Sequence, residues 1–249
     1  SGAFEIGRKI TAANLADIYA MGATPTYLVA AVTLSGEESM EWISELAQGI
    51  KHEASSCGAV VVGGDLARGA IKVISMSALG EVEKALTRSG AQVGDSIYLS
   101  SLPGWSAAGL SCIEKSELSD LESYAVEEFC SPTLDYSMAV AFAHKGAHAM
   151  CDVSDALVIQ AEQLAQASGV QLVFDAAAFK ASEEFEQLSE LAEASGVDVW
   201  QWIFAGGEDH VFLAIGKDLP GLCVGVVKEG SGVIGLEMKK APDTWRHFS

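Results

Sequence analysis

Apolar residues along this chain follow two periods in alternation, one typical of helices and one typical of strands. Residues 5–22 show the helical period and end at Gly22, a common residue after a helix, with Pro25 shortly beyond it. Residues 26–34 form a short and mostly apolar run, which favours a buried strand. In the first third of the chain the pattern predicts, in order, a helix over 5–22, a strand over 26–34, a helix over 40–58 and strands over 59–64 and 71–82.

A polar, glycine-bearing stretch, residues 85–95, interrupts this pattern. Because such stretches commonly connect domains, we expect a boundary near Gly90, with one domain over 1–90 and a second over 91–249. Beyond the boundary the pattern predicts helices from Trp105 and over 134–145, 155–168, 184–194 and 199–204, and strands over 147–154, over 170–175, from Val211 and from Leu222.

Composition narrows the possible functions. Of the 249 residues 49% are hydrophobic, and no apolar run is long enough to span a bilayer, which predicts a soluble globular protein. Because 34 acidic side chains stand against 15 basic ones, the net charge is −19, and we expect neither nucleic acid nor a membrane surface as a partner. The five cysteines are scattered and no secretory segment precedes them, which favours the cytoplasm. The sequence opens without methionine, so we expect further residues upstream.

Asp17 is the first candidate for a functional side chain. An ionised carboxylate in an apolar stripe is costly unless a cation, hydrogen-bond donors or a cleft receives it. Two interpretations stay open, a carboxylate that faces a metal or ligand and a core carboxylate satisfied by the backbone or by an arginine. We expect Asp17 in the middle of the apolar stripe of the first predicted helix, because on a helical wheel it lies within about 60° of Ile6, Ile10, Ala13, Asn14 and Met21.

Two glycines directly followed by an acidic residue occur twice in the chain. The first pair, Gly63 and Gly64, stands at the predicted end of an apolar strand and precedes Asp65, whereas the second precedes Glu208. Glycine allows close backbone approach, so backbone N–H groups there could meet a phosphate while Asp65 holds a metal ion. Each pair alone is equally typical of a tight turn with a solvated acid.

A third acidic element follows a predicted strand and contains Asp152, Ser154 and Asp155. By itself this pattern is typical of a helix N-cap as much as of a binding site. Three acidic elements at the ends of apolar runs, in a chain without a histidine or cysteine cluster, favour oxygen ligands and therefore Mg²⁺ over zinc.

Seven motifs occur in a fixed order along the chain: NLADIYAMGATP, VVGGDLARG, ALGEV, TRSGAQVGDSIYLSSLPGWSAAGL, DVSDAL, FAGGEDHVFL and TWRHF. In order and spacing they resemble the thiamine-monophosphate kinases, within the superfamily that includes aminoimidazole ribonucleotide synthetase. The resemblance implies ATP-dependent phosphorylation of thiamine phosphate by direct transfer with Mg²⁺. It also implies an α+β fold of two domains, each a mixed sheet with helices packed on it, and a homodimer formed through the N-terminal domain.

The same resemblance implies roles for individual residues. ATP would contact Gly64, Asp65, Arg88 and Ser154, and the thiamine part of the substrate would contact Glu208 and Trp245. The Mg²⁺ ligands it implies are Asp17, Asp65, Asp152 and Asp155.

The chain also departs from the family pattern. The family's upstream G-D-D-A motif and its acidic D-x-x-V-E-G-V-H-F segment are absent, Ala156 replaces the usual Gly, and His210 stands where Tyr or Phe is common. Two alternatives to the kinase therefore stay open. One is a sister ATP-dependent synthetase of the same superfamily, and the other is a truncated, non-catalytic domain that binds a nucleotide or only dimerises.

Overall fold

A computed structural model of the chain describes residues 2–236. Its contacts divide the chain into two compact units, Ser1–Ala85 and Leu86–Ser249. The division falls five residues before the expected position, because the stretch after Ala85 joins the second unit: the backbone N–H of Met150 donates to the carbonyl of Thr87 at 3.1 Å. Arg88 therefore belongs to the second unit.

The first unit is a three-stranded sheet with two helices. The order β2-β1-β3 places β1 in the centre, parallel to β2 and antiparallel to β3. All five elements predicted for this part of the chain are present, as α1 (Ala3–Ala20), β1 (Thr24–Leu34), α2 (Met40–Ser56), β2 (Val60–Arg68) and β3 (Val73–Glu81).

The buried face of α1 consists of small residues. It comprises Ala3, Gly7, Thr11, Ala12, Leu15, Ala16, Tyr19 and Ala20. A Cβ added to Gly7 would meet the backbone of Leu46 and Ile50, and one added to Gly49 would meet the carbonyl of Phe4. The two helices therefore pack backbone against backbone. The expectation that Asp17 lies in the buried stripe is wrong, since its side chain is exposed on the opposite face.

Strand β2 does not stop at the two glycines, as the sequence suggested, but continues through Arg68. Its pairing with β1 shifts at Val62, because Val61 pairs with Leu28 and Gly63 pairs with the next residue, Val29. Neither Gly63 nor Gly64 has a positive φ. Gly64 is required for another reason: a Cβ there would overlap the carbonyl oxygen of Ala30, whereas a Cβ on Gly63 would meet nothing within 4 Å.

The two glycines give a matched pair of variants. We expect Gly64→Ala to lower the free energy of unfolding by about 2 kcal/mol, because the new methyl group forces β2 away from β1. Gly63→Ala adds the same group to space that is open in the single chain and, for the monomer, should leave that free energy within about 0.5 kcal/mol of the parent value. Urea unfolding followed by circular dichroism measures both, and equal losses in the two variants would contradict the packing argument.

The second unit is built on a six-stranded sheet. The order is β5-β7-β4-β8-β6-β9, in which only the β6–β9 pair is parallel. Its elements are β4 (Ser96–Leu99), α3 (Trp105–Cys112), α4 (Asp120–Cys130), α5 (Tyr136–His144), β5 (Ala149–Val153), α6 (Leu157–Ser168), β6 (Gln171–Phe174), α7 (Ala176–Lys180), α8 (Glu183–Ser195), α9 (Val199–Ala205), β7 (Val211–Gly216), β8 (Leu222–Lys228) and β9 (Gly232–Ile234). The α+β fold is thus confirmed.

Four of these elements were not predicted: β4, α4, α7 and β9. The start of α4 carried a readable signal, since Ser119 and Glu122 form a reciprocal capping box. The other three are short: β4 has four residues, α7 has five and β9 has three, which is too few for a period to show.

Two findings concern the chain as a whole. None of the helices within residues 2–236 combines the length and apolar character needed to cross a bilayer. All five cysteines lie in this part of the chain and are free thiols.

Candidate active site

The antiparallel pairing of β5 with β7 brings two of the predicted acidic elements together. Asp152 pairs with Phe212 near the end of β5, so the residues after β5 lie beside those before β7. Two backbone hydrogen bonds join them beyond the strands: Glu208 N–H donates to the carbonyl of Ser154 at 2.6 Å, and His210 N–H donates to that of Val153 at 2.9 Å. The two segments therefore form one structural element.

The segment before β7 has an unusual backbone. Glu208 and His210 both adopt left-handed conformations, with φ of 66° and 52°, although neither is glycine. Gly207 has no positive φ but is needed for close approach, because a Cβ there would lie 2.5 Å from the carbonyl oxygen of Asp155 and 2.7 Å from that of Ser154. A left-handed backbone conformation costs free energy in a residue other than glycine, and such residues concentrate at functional sites.

Asp209, between these two residues, is buried and holds the start of α3. Its two carboxylate oxygens accept from the backbone N–H groups of Gly104 and Ser106, each at 2.9 Å. The Ser106 hydroxyl in turn donates to the carbonyl of Glu208 at 3.0 Å. Burial raises the pKa of Asp209 to about 6, although the two N–H groups favour its ionised form. Asp209 therefore has a structural role, anchoring the loop that carries Glu208.

Asp152 is also buried, with 3% of its surface exposed, and lies against His210. The Nδ1 atom of His210 is 3.0 Å from Oδ2 of Asp152. His210 thus fixes the orientation of one of the predicted metal ligands.

Ser154, Asp155 and Glu208 remain accessible at a cavity of about 700 Å³. The N-cap interpretation of this stretch is wrong: the N-cap of α6 is Ala156, which has no side-chain cap, and the helix begins at Leu157. The remaining residues that line the cavity are Ser106, Ala107, Leu110, Phe129, Ala205, Gly206 and Gly207. The wall of the cavity therefore consists of small and apolar residues, two serines and two acidic residues.

Arg88 is connected to Ser154 through the buried side chain of Gln160. Its Nη2 donates to Oε1 of Gln160 at 3.2 Å, and Nε2 of Gln160 donates to the Ser154 hydroxyl at 3.3 Å. Two predicted ATP contacts, Arg88 and Ser154, are therefore joined by a single amide.

The other predicted site residues lie in the first unit or outside the described residues. Asp17 is exposed on α1, and Asp65 is exposed on β2 opposite Ala31, next to Gly64. Trp245 lies beyond residue 236, outside the part of the chain that the structure describes.

The carboxylate oxygens of this region are of the kind that binds Mg²⁺. Within residues 2–236 no group of three or more histidine, cysteine or acidic side chains could hold a metal ion by itself. Mg²⁺ is commonly bound by one or two carboxylates, with waters and substrate phosphates completing its six positions. Asp152 and Asp155 offer such a pair, and the metal would then be held jointly with a phosphate.

Sequence reasoning missed three residues of this site: Gln160, Asp209 and His210. The sequence identified His210 only as a departure from the family pattern. Gln160 is the sixth residue of the helix predicted over 155–168, where a polar residue is unremarkable, and Asp209 directly follows Glu208, the acid that the motif singled out. Each of the three makes a contact with a residue 58 to 105 positions away in the chain, which no local pattern reveals.

Comparison with known proteins places these features in a family. The N-terminal domain of AIR synthase related proteins matches residues 1–82, and the C-terminal domain of the same proteins matches residues 92–236. A thiamine-monophosphate kinase of Mycobacterium tuberculosis is 37% identical over 214 residues, which cover 84% of this chain and 62% of that protein. The chain thus spans less than two thirds of the length of that relative.

Two further comparisons cover more of both chains. A thiamine-monophosphate kinase of Aquifex aeolicus is 30% identical over 253 residues, covering 98% of this chain and 81% of that one. A solved structure described as AaThiL complexed with AMPPCP and TMP is 28% identical, has a TM-score of 0.89, and is matched over all of this chain and 82% of its own. The chain therefore belongs to the AIR synthase related family, in the group of the thiamine-monophosphate kinases.

Proposed function

We propose that this chain phosphorylates thiamine phosphate to thiamine diphosphate with ATP, assisted by Mg²⁺. The observation that carries the proposal is the junction of the turn after β5 with the loop before β7, where Ser154, Asp155 and Glu208 share one cavity. A hydroxyl, a carboxylate for a metal and a second carboxylate for an organic ligand are the groups that such a reaction needs. The relatives named as thiamine-monophosphate kinases, and the structure with AMPPCP and TMP, support the choice of substrates.

The proposed reaction needs little acid–base chemistry. The γ-phosphoryl group passes from ATP to a phosphate oxygen of the acceptor, which leaves ADP and thiamine diphosphate, and the acceptor oxygen is already ionised. When bound, Mg²⁺ supplies positive charge that screens the repulsion between the two phosphate groups. The protein's task is to bind and align the two substrates.

Residue roles follow from this proposal. Arg88, a rigid cation with several donors, binds phosphate oxygens of ATP together with the hydroxyl of Ser154, while Glu208 binds the thiamine part of the acceptor. In the first unit, Gly64 and Asp65 contact the nucleotide. The proposed Mg²⁺ ligands are Asp17, Asp65, Asp152 and Asp155, and Trp245 is a proposed substrate contact outside the described residues.

The direct test uses the chain at its full 249 residues. It is incubated with ATP, Mg²⁺ and thiamine phosphate, and the products are separated by chromatography, with a control lacking Mg²⁺. Metal-dependent formation of thiamine diphosphate supports the kinase. Thermal stabilisation by ATP and Mg²⁺ without product would instead favour the non-catalytic nucleotide-binding alternative.

We also propose that the protein is cytoplasmic. We further propose that it forms a homodimer through the sheet of the first unit. Strand β2 is an edge strand whose nine residues are all exposed, and Val62 and Leu66 on it are 57% and 62% exposed. A long apolar edge strand is a surface that soluble proteins normally cover. Sedimentation equilibrium should give twice the 26.0 kDa of one chain, and Val62→Glu should shift the equilibrium to the monomer. A parent chain that is monomeric at micromolar concentration would contradict this proposal.

A further inference from the structure

We propose that Gln160 is a positioning residue that sets the direction of the hydrogen bonds at the ATP-phosphate site, by holding Arg88 and turning the Ser154 hydroxyl into a donor. The inference rests on the proposed function for the identity of the ligand. It goes beyond that function by assigning a role to a residue that contacts no substrate.

The first step is the burial of Gln160. Its side chain lies in the first turn of α6 and is only 2% exposed, so both ends of its amide need partners. The partners are Arg88 at Oε1, 3.2 Å away, and Ser154 at Nε2, 3.3 Å away. One buried side chain therefore spans two residues that are 66 positions apart in the sequence.

The second step is the polarity of this chain of hydrogen bonds. A guanidinium can only donate, so the amide must turn its oxygen to Arg88 and its NH₂ group to Ser154. The Ser154 oxygen therefore accepts, and its own hydrogen points away from Gln160. Because Ser154 lines the cavity, this hydrogen is available to an anionic oxygen of a ligand. Arg88 and Ser154 are thus both arranged as donors, as a phosphate requires.

The third step concerns the backbone that carries Arg88. The hydroxyl of Ser168, the last residue of α6, accepts from the N–H groups of Gly90 and Ala91, each at 3.2 Å, and donates to the carbonyl of Arg88 at 3.0 Å. The beginning of α6 therefore fixes the side chain of Arg88, and its end fixes the main chain. An arginine on an exposed connecting stretch is in this way held by a helix.

The variant Gln160→Glu separates these contacts. A carboxylate of the same size still accepts from Arg88, but it also accepts from Ser154, so the serine hydrogen turns toward residue 160. We expect the Kd for ATP with Mg²⁺, measured by calorimetry, to rise at least tenfold. The matched control is Gln163→Glu, which makes the same change at an exposed position of the same helix and should shift Kd less than twofold.

Ser154→Ala tests whether the effect passes through the serine. In that background Gln160→Glu should raise Kd no more than threefold, because no hydroxyl remains to be turned. An equal loss with and without the hydroxyl, or an unchanged Kd in the folded Gln160→Glu protein, would overturn the proposed positioning role.

A readout without nucleotide separates this inference from the proposed function. By NMR, the side-chain NH₂ of Gln160 should exchange with solvent at least tenfold more slowly than that of Gln163. Fast exchange at Gln160 would overturn the hydrogen-bond chain whatever the nucleotide does. Slow exchange in a parent chain that binds no ATP would overturn the proposed function, and with it the positioning role, while the contacts themselves stand.

Discussion

Asp155→Asn is expected to lower kcat for thiamine diphosphate formation by about 100-fold, equivalent to ~3 kcal/mol of transition-state stabilisation. Asp155 is half-buried at the cavity and does not cap α6, so the substitution removes the charge of a proposed metal ligand without removing a helix cap. A neutral amide binds Mg²⁺ weakly, because this hard cation prefers carboxylate oxygen. Initial rates at saturating ATP and thiamine phosphate measure the loss, and a higher Mg²⁺ concentration should restore part of it.

The matched control for this variant is Asp218→Asn. Asp218 is exposed after β7, at the end of that strand away from His210, and has a φ of 50°, which asparagine tolerates as well as aspartate does. We expect its kcat within twofold of the parent. An unchanged kcat in Asp155→Asn would remove this residue from the metal site, and an equal loss in both variants would point to a general effect of charge.

Most of the fold could be predicted from the sequence, because the helices and strands of this chain carry clear periods. One of the details that failed, the orientation of α1, failed for a physical reason. Its buried face is formed by Ala, Gly and Thr at contacts where backbones touch, and these residues weigh little on a hydrophobicity scale. The larger Ile6, Ile10 and Met21 suggested the opposite face, and Asp17 was placed in it.

The candidate site could be predicted only where its residues lie close together in the sequence. The carboxylates of Asp152 and Asp155 and the glycine before Glu208 were visible as short motifs, and the structure brings these segments together through the β5–β7 pairing. His210 contacts Asp152 across 58 residues and Gln160 contacts Arg88 across 72, and both belong to residue types with many other uses. The strand does not end at Gly64, as the sequence suggested, and the structural need for glycine there is the close approach of the Ala30 backbone.

Asp209→Asn is expected to have the second large effect, which is on the pH dependence of stability rather than on turnover. Its pKa is raised to about 6 by burial, from 3.8, so between these values the unfolded chain has lost a proton that the folded chain still holds. The free energy of unfolding then falls as pH rises through this window, by on the order of 3 kcal/mol for this group. Asp209→Asn replaces the carboxyl group by an amide of the same shape that does not titrate in this range. The difference in unfolding free energy, parent minus variant, should therefore decrease by about that amount between pH 4 and pH 7.

This measurement isolates Asp209 because the remaining ionisable groups, including Glu184 with its own raised pKa, are common to both proteins and cancel in the difference. Urea unfolding at several pH values gives the curve, and Asp218→Asn should show a difference that does not vary with pH. A constant difference for Asp209→Asn would mean that the two N–H groups from Gly104 and Ser106 fully offset burial. A decreasing one would mean that the loop carrying Glu208 is held by a carboxylate whose ionisation costs stability at neutral pH, as expected where backbone geometry serves a binding site.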